Sequence, residues 1–233
     1  MGAEPSHGAL MDRVYRRQRH IYNFTRRYYL VGRDDLIRGL DLRPGDRAVE
    51  IGCGTARNLI AIARRYPGAQ LFGLDASGEM LVTAAEAVGR AGLSGRITLK
   101  RGLAEEMSTE LFGESRGFDA AIFSYSLSMI PDWRRALIAA SRALSESGHL
   151  HIVDFGDFGG LPSPVSAGLR AWLRKFHVAP RAELLGALER AAAASGSQLH
   201  IYMGRYAFCW RAERPEGVLA NVAGPPQAAD FPD

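Results

Sequence analysis

Residues 47–58 read Arg-Ala-Val-Glu-Ile-Gly-Cys-Gly-Thr-Ala-Arg-Asn, and this stretch decides the fold of the chain. An apolar run that contains an acid, Glu50, passes through two glycines, Gly52 and Gly54, into a helical pattern that begins near Thr55. Glycine lets the backbone turn tightly and approach a ligand closely, because no Cβ intervenes. The helix N-terminus adds free N–H groups and a positive dipole end. The stretch therefore predicts a strand, a ligand-binding turn and a helix.

Two kinds of nucleotide ligand compete for this turn. A dinucleotide site favours a third glycine, so that the helix packs close beside a pyrophosphate, but this chain has Ala56 and Arg57 there. Glu50 would also repel a pyrophosphate. A second acid, Asp75, ends the next apolar run (Gln70–Leu74), where a ribose-binding carboxylate is expected. Two acids suit S-adenosylmethionine better, since it is cationic and has no phosphate, although each acid alone could be an ordinary strand-end carboxylate.

The rest of the chain alternates strand-like and helix-like segments, which is typical of a parallel sheet built from βαβ units. Its 233 residues, 47% of them hydrophobic, are enough to bury one sizeable core. We predict a helical cap over residues 1–40, a catalytic domain over 41–214 and a loose tail over 215–233. Strands are expected near Ala48–Ile51, Gln70–Leu74, Arg96–Lys100, Asp119–Phe123, Leu150–Asp154, Gln198–Met203 and Arg205–Arg211, and helices near Arg57–Tyr66, Gly78–Ala91, Trp133–Leu144, Val165–Phe176 and Arg181–Ala194.

The chain contains five motifs that resemble those of the class I S-adenosylmethionine-dependent methyltransferases and occur in the same order as in that family. The resemblance implies an α/β fold: a doubly wound, mostly parallel seven-stranded sheet with a reversed last strand, and S-adenosylmethionine across the carboxyl ends of its strands. The motifs that carry it are Val49–Thr55, Leu74–Ser77, Gly102–Glu105, Phe118–Phe123 and Gly148–Leu150.

Nine residues are assigned to the cofactor on this resemblance. Those at the first turn and after the fourth strand should hold the methionine end, and those after the second and third strands should hold the adenosine. Arg33 either pairs with the cofactor carboxylate or lies on the surface. The nine are Arg33, Glu50, Gly52, Gly54, Asp75, Ala76, Leu103, Ala104 and Ser124.

The segment before the first strand is basic and rich in tyrosine. Asp12–Arg38 contains eight arginines and three acids, an excess above the +4 net charge of the whole chain. Either this segment is an ordinary solvated cap helix, or its arginines face an anionic membrane while tyrosines such as Tyr22 line an acceptor pocket. The pI near 9.3 also permits a nucleic-acid partner. We expect none, because residues 124–131 lack the Asn/Asp-Pro-Pro-aromatic run of base methyltransferases.

Three segments resemble the N-methyltransferases of bacterial betaine-lipid synthesis: Tyr15–Tyr22, Thr25–Asp34 and Ser124–Trp133. The resemblance implies trimethylation of diacylglyceryl-homoserine to diacylglyceryl-trimethylhomoserine, and a separate enzyme that transfers the aminocarboxypropyl group. It also implies a cytoplasmic protein held peripherally at the inner membrane face. A soluble methyltransferase for another small amine or hydroxyl is the main alternative, and a non-catalytic cofactor-binding module is a third.

Methyl transfer to an amine requires in-line placement of the nitrogen more than a strong base. Burial and the sulfonium charge both lower the pKa of an ammonium group, so deprotonation needs little help. Tyr125, Ser126 and His151, and less favourably His20, are the candidates for guiding the proton, while Tyr22 is a catalytic-site candidate as a wall of the acceptor pocket. His151 is expected near the pocket floor unless it is a core histidine. No metal site is expected, because no His/Asp cluster has ligand spacing.

Overall fold

The computed structural model describes residues 30–175 and 178–213. Within these residues seven strands form one sheet in the order β3-β2-β1-β4-β5-β7-β6. The strands are β1 Arg47–Ile51, β2 Gln70–Asp75, β3 Ile97–Arg101, β4 Phe118–Ser124, β5 Leu144–Phe155, β6 Gln198–Tyr202 and β7 Ala207–Glu213. The helices are α1 Arg33–Arg38, α2 Arg57–Arg65, α3 Gly78–Arg90, α4 Trp133–Arg142, α5 Ser163–Arg174 and α6 Ala182–Ser195, with short 3-10 turns at Ala104–Glu106 and Glu110–Phe112.

The sheet has the predicted topology. Strands β1 to β5 pair in parallel, and β7 runs antiparallel to both β5 and β6. The doubly wound sheet with a reversed last strand is therefore confirmed. The strand order changes direction between β1 and β4, and in open α/β sheets ligands bind outside the carboxyl ends of the strands at such a point.

Most predicted boundaries agree with the structure to within a few residues, because local signals mark them. Ser77 caps α3 by accepting from the Met80 N–H at 3.3 Å, and Asp132 caps α4 through the Arg135 N–H at 3.0 Å. The main difference is at β5, which begins at Leu144 rather than near Leu150. Leu144 already pairs with Phe118, and the register then shifts before Ala120 meets His149.

Apolar side chains cover both faces of the sheet. One core cluster lies under α4 and α6 and includes Phe72, Phe112 and Phe118, which meet edge to face at centroid distances of 5.2–5.9 Å. The other lies under α1, α2, α3 and α5. Both layers keep the sheet rigid, so the loops at its carboxyl ends start from fixed positions.

Part of the predicted N-terminal cap is described. Helix α1 is fastened by the Tyr66 hydroxyl, which lies 3.0 Å from the Ile37 carbonyl and 2.9 Å from the Arg38 carbonyl. Residues 1–29, with Tyr22, and residues 214–233 lie outside the described part of the chain. Among the described helices, none combines the length and apolar character that a bilayer crossing requires.

Gly73 in β2 provides a test of this packing. A Cβ there would lie 2.7 Å from Leu59 Cδ1, 2.8 Å from Leu99 Cδ2 and 2.9 Å from Cys53 Sγ. We expect Gly73→Ala to lower the free energy of unfolding by about 1–3 kcal/mol, because the overpacked core must shift. Urea denaturation measures this. Gly89→Ala is the control, since a Cβ at Gly89 in α3 has nothing within 4 Å; equal losses in both variants would contradict the packing argument.

Candidate functional site

The glycine turn lies at the carboxyl end of β1. Gly52 and Gly54 have φ angles of +77° and +52°, and Ala56, just before α2, has +58°. A Cβ on Gly52 would lie 2.5 Å from Ser126 Cβ, so glycine is required there for space as well as for conformation. The N–H groups of Gly52 and Cys53 both donate to the Leu74 carbonyl, at 2.8 and 3.0 Å. The turn is thus held between β2 and the loop after β4.

Asp75 ends β2 and joins the turn to the next helix. Its Oδ2 accepts from the Gly54 N–H at 2.7 Å, and its Oδ1 accepts from the Ser77 N–H at 2.9 Å. These two bonds orient the carboxylate at the edge of the cleft beside the glycine turn. The expectation of an acid at the tip of the second strand is met by this placement.

The residues predicted for the cofactor are divided between two adjoining spaces that share Gly52. The first, which we call the main cleft, contains Gly52, Gly54, Asp75, Ala76, Leu103, Ala104, Tyr125 and Ser126. The second, which we call the side cavity, has a volume of about 540 Å³ and contains Arg33, Glu50, Gly52 and Ser124. Glu50 and Asp75 therefore line different spaces, which meet at Gly52.

The side cavity holds two buried polar groups at the strand ends. Glu50 is buried, and its Oε1 accepts from the Asn58 amide at 2.6 Å, which links β1 to the first turn of α2. Ser124 Oγ is buried and has no hydrogen-bond partner among the described residues. Arg33 bonds its neighbour Asp34 at 2.8 Å. A polar ligand group that reaches past Gly52 would meet the Ser124 hydroxyl.

Tyr125 has an unusual backbone and a buried hydroxyl. Its φ is +56°, which is rare for a bulky residue and occurs mainly where the surroundings impose it. The hydroxyl donates to the Val31 carbonyl at 2.6 Å, and the ring meets Phe155 edge to face at 4.7 Å. Burial, with a smaller contribution from Asp154, raises the pKa of Tyr125 well above its usual value. A tyrosine in this state stays protonated at neutral pH and ties the main cleft to the segment before α1.

Ser126 closes the other side of the turn. Its Oγ donates to the Ile51 carbonyl at 2.9 Å, so the end of β1 and the loop after β4 are joined directly. The side chain lines the main cleft. Its position fits the predicted contact with substrate, and its proton is committed to the Ile51 carbonyl in this structure.

His151 lies elsewhere than expected. It occupies the middle of β5, paired with Ile122 and Arg211, and lines neither the main cleft nor the side cavity. The predicted position at the pocket floor is therefore wrong, because the carboxyl end of β5 lies four residues further on, at Phe155. Burial, then the charges of Arg211 and His149, lower the pKa of His151 to about 3. The imidazole is neutral at physiological pH.

The structure adds a residue that the sequence analysis missed. Asp154, near the end of β5, is buried; its Oδ2 accepts from the Ser128 N–H at 3.1 Å and its Oδ1 from the Phe155 N–H at 2.7 Å. Burial raises its pKa to about 6, against the opposing effect of these bonds. Asp154 thereby supports the loop after β4. The signal was an acid at a strand end, the same pattern that marks Glu50 and Asp75.

The main cleft combines a polar edge with apolar walls. Asp75 and the backbone of the glycine turn form the polar edge, and Met80, Met129 and Ile130 add apolar walls. A carboxylate suits ribose hydroxyls, and an apolar slot suits a purine ring. Among the described residues no group of three His, Cys, Asp or Glu side chains is placed to hold a metal ion.

The class of the domain follows from a family comparison. Residues 48–148 match the family model described as "Methyltransferase domain", and they include β1 to β4 and the glycine turn. The fold, the site and this match define a methyltransferase domain of the S-adenosylmethionine-dependent class.

Individual relatives agree with this class. The chain is 32% identical over 117 residues to a demethylmenaquinone methyltransferase of Bacillus cytotoxicus, covering 50% of this chain and 47% of the relative. It is 34% identical over 146 residues to the ubiquinone/menaquinone biosynthesis C-methyltransferase UbiE of Syntrophotalea carbinolica. The match covers 62% of this chain and 57% of that relative. The chain thus spans about half the length of the curated relatives it matches.

Solved structures support the fold. A SAM-dependent methyltransferase from Aquifex aeolicus superposes with a TM-score of 0.57 at 15% identity, covering 80% of this chain and 92% of that one. The apo form of the S-adenosylmethionine-dependent methyltransferase SibL gives a TM-score of 0.64 at 20% identity. The superposition covers 84% of this chain and 58% of that one.

Gly52→Ala tests whether the turn has to approach Ser126 this closely. The new Cβ would clash with Ser126 and strain a left-handed backbone, so we expect the affinity for S-adenosylhomocysteine to fall at least tenfold by calorimetry. Gly45→Ala is the control, because Gly45 also has a positive φ but a Cβ there has nothing within 4 Å. If both variants lost similar affinity for S-adenosylhomocysteine, the loss would be due to backbone strain and not to the contact with Ser126.

The substitution Asp154→Asn tests whether burial raises the pKa of the Asp154 carboxyl. Because the folded-state pKa is about 6 and the ordinary value is 3.8, ionisation of Asp154 opposes folding above pH 6 and has no effect well below pH 4. The variant cannot ionise, so its free energy of unfolding relative to wild type should rise by about 3 kcal/mol between pH 4 and pH 7.

Denaturant titrations at several pH values measure this difference. Asp157→Asn is the control, since the Arg205 guanidinium lowers the pKa of Asp157, so that the stability of this variant relative to wild type should fall, not rise, with pH. A pH-independent difference for Asp154→Asn would contradict the burial argument.

Proposed function

We propose that this protein transfers a methyl group from S-adenosylmethionine to a small-molecule acceptor. The observation that carries the proposal is the Asp75 carboxylate, held by the N–H groups of Gly54 and Ser77 at the edge of a cleft with apolar walls. A nucleoside fits this donor set, because a carboxylate binds ribose hydroxyls, and Glu50, which would repel a pyrophosphate, favours a ligand without phosphate. The match of residues 48–148 to a methyltransferase domain supports the same conclusion.

In this proposal each part of the cofactor has partners on this chain. Asp75 holds the ribose, while Ala76, Leu103 and Ala104 flank the adenine. Gly52 and Gly54 approach the methionine moiety through their backbone, and Glu50 and Ser124 line the adjoining side cavity. Bound S-adenosylmethionine supplies a methyl group on a sulfonium.

The contribution of the protein to catalysis is positioning. Tyr125 keeps its proton in a bond to the Val31 carbonyl, and His151 is buried away from both spaces, so neither serves as a base in this arrangement. Ser126 lines the cleft and can orient an acceptor group through its oxygen. For an amine acceptor, desolvation in the cleft lowers the ammonium pKa and frees the lone pair. In-line alignment then accounts for most of the rate gain.

The acceptor is a small molecule, and two kinds are favoured by separate observations. The two curated relatives described above are named as quinone methyltransferases, which favours a lipid-soluble ring as acceptor. The resemblance of Ser124–Trp133 and of residues 15–34 to betaine-lipid N-methyltransferases favours the amine of diacylglyceryl-homoserine. The relatives support the broader class of small-molecule methyltransferase better than they support the betaine lipid. An aminocarboxypropyl-transferring partner and a place at the inner membrane face remain predictions of that resemblance.

A methyl-transfer assay tests the proposal. Purified protein is incubated with labelled S-adenosylmethionine and, in separate reactions, with demethylmenaquinone, diacylglyceryl-homoserine and a water-soluble amine extract. We expect transfer to one of these acceptors, and Asp75→Asn should lower kcat/KM at least tenfold because the ribose loses its anionic partner. Glu86→Gln, on the exposed side of α3, is the matched control.

The choice of acceptor separates the alternatives. Labelled diacylglyceryl-trimethylhomoserine would support the betaine-lipid candidate, and a labelled quinone would remove it. Tight binding of S-adenosylmethionine without transfer to any acceptor would overturn the catalytic proposal in favour of a cofactor-binding module.

A further inference from the structure

The segment between α5 and α6 is bonded to one wall of the main cleft. The Ala179 N–H donates to the Ser128 carbonyl at 3.1 Å, in the loop after β4. The Arg181 guanidinium donates through Nη2 to the Ile130 carbonyl, also at 3.1 Å. Ile130 lines the main cleft, and Ser128 lies two residues before it in the same loop. Two hydrogen bonds therefore join this segment to the wall of the cleft.

The other backbone bonds of this loop have different origins. The Ser128 N–H donates to Asp154 Oδ2 in β5 at 3.1 Å. The N–H groups of Met129 and Ile130 both donate to the Ser126 carbonyl, at 3.0 and 3.1 Å. The partners of the N–H groups are therefore supplied by the loop itself and by β5, whereas the carbonyls are held by the segment before α6.

Arg181 occupies a position that is unfavourable for an arginine. It is the N-cap residue of α6, and its side chain makes no capping bond. Such positions favour a side-chain oxygen that accepts a free N–H group, and a cation there opposes the helix dipole. Burial lowers the pKa of Arg181, against the opposing effects of Asp154 and Glu183, and its Nε is buried with no hydrogen-bond partner among the described residues. A residue that breaks local rules in this way indicates a role in a tertiary contact, here with the Ile130 carbonyl.

Two segments that are far apart in the sequence contribute to the apolar walls of the main cleft. Leu103 and Ala104 follow β3, and Met129 and Ile130 follow β4. The short turn that begins at Ala104 packs against α4, which starts directly after the loop. Ala104 and Ile130 also pack against the same core cluster. A displacement of the loop would therefore change the width of the apolar slot, which suits a flat purine ring.

We propose that Arg181 is a positioning residue for the cofactor, because its bond to the Ile130 carbonyl fixes the width of the slot that receives the adenine. Arg181 acts through Ile130 and not by touching the cofactor, since it is not among the residues that line the main cleft. The inference deepens the proposed function and rests on it, because it requires the adenosine part of S-adenosylmethionine to lie in this cleft.

Calorimetry with S-adenosylhomocysteine and with adenosine tests the proposal. Arg181→Met keeps most of the length of the side chain and removes its donors. We expect the affinity for S-adenosylhomocysteine to fall about fivefold, because the loop loses a hydrogen bond from a charged group. The same loss is expected for adenosine, which lacks the methionine part. Arg181→Lys keeps a charged donor and should restore most of the affinity.

A double-mutant cycle shows whether Arg181 acts through Ile130. Ile130→Ala removes the side chain that Arg181 is proposed to position. In that background Arg181→Met should change the affinity for S-adenosylhomocysteine by less than about twofold, because residues that act through one contact are not additive. Additive losses would overturn the proposal.

Arg96→Met is the matched control. The Arg96 guanidinium also donates to backbone carbonyls, those of Ala63, Tyr66 and Ala69, at 2.7–2.9 Å, but it does not line the main cleft. This variant should lower the melting temperature and change the affinity for S-adenosylhomocysteine by less than about twofold. An equal loss of affinity in the Arg96 and Arg181 variants would assign the effect to general destabilisation and overturn the proposal.

The wild-type measurement separates this inference from the proposed function. If the wild-type protein bound neither ligand, the proposed function would fail, and this inference with it. If the wild-type protein bound S-adenosylhomocysteine and the folded Arg181→Met variant bound it equally well, only the role of Arg181 would be overturned. The melting temperature of each variant establishes that it is folded.

Discussion

The Asp75 carboxylate is the constraint on which the site depends. One oxygen receives the Gly54 N–H and the other the Ser77 N–H, so a single side chain sets the glycine turn relative to the start of α3. Charge-assisted bonds to backbone N–H groups are among the stronger hydrogen bonds in proteins. The close approach of Gly52 to Ser126 then joins this unit to the loop after β4. The cleft is therefore built mainly from backbone positions that parallel strands hold in register.

Burial decides what the ionisable groups near this cleft can do. Tyr125 and His151 have side chains that often serve as acids or bases. Burial raises the pKa of Tyr125 and lowers the pKa of His151, so neither side chain changes charge near pH 7. Burial raises the pKa of Asp154 to about 6, and its Oδ2 accepts from the Ser128 N–H in the loop that lines the cleft. Such a site suits a reaction whose main requirement is alignment.

Several parts of the chain that form or adjoin the cleft lie at the carboxyl edge of the sheet. The turn after β1, the acid after β2, the loop after β4 and the segment between α5 and α6 all meet there, although long stretches of sequence separate them. Parallel strands produce this outcome, because all their carboxyl ends lie at one edge.

The sequence by itself determined the strands, the helices and the glycine turn, because apolar periodicity, caps and glycines are local signals that tertiary packing seldom reverses. It also predicted Asp75 at the tip of the second strand, where the structure places it beside the glycine turn. Only the tertiary structure decided that Glu50 and Asp75 line different spaces, that His151 lines neither of them, and that Asp154 bonds the loop after β4. The reason is physical: spacing along a strand gives the face on which a side chain lies, but which loops and helices cover that face depends on contacts between residues far apart in the chain.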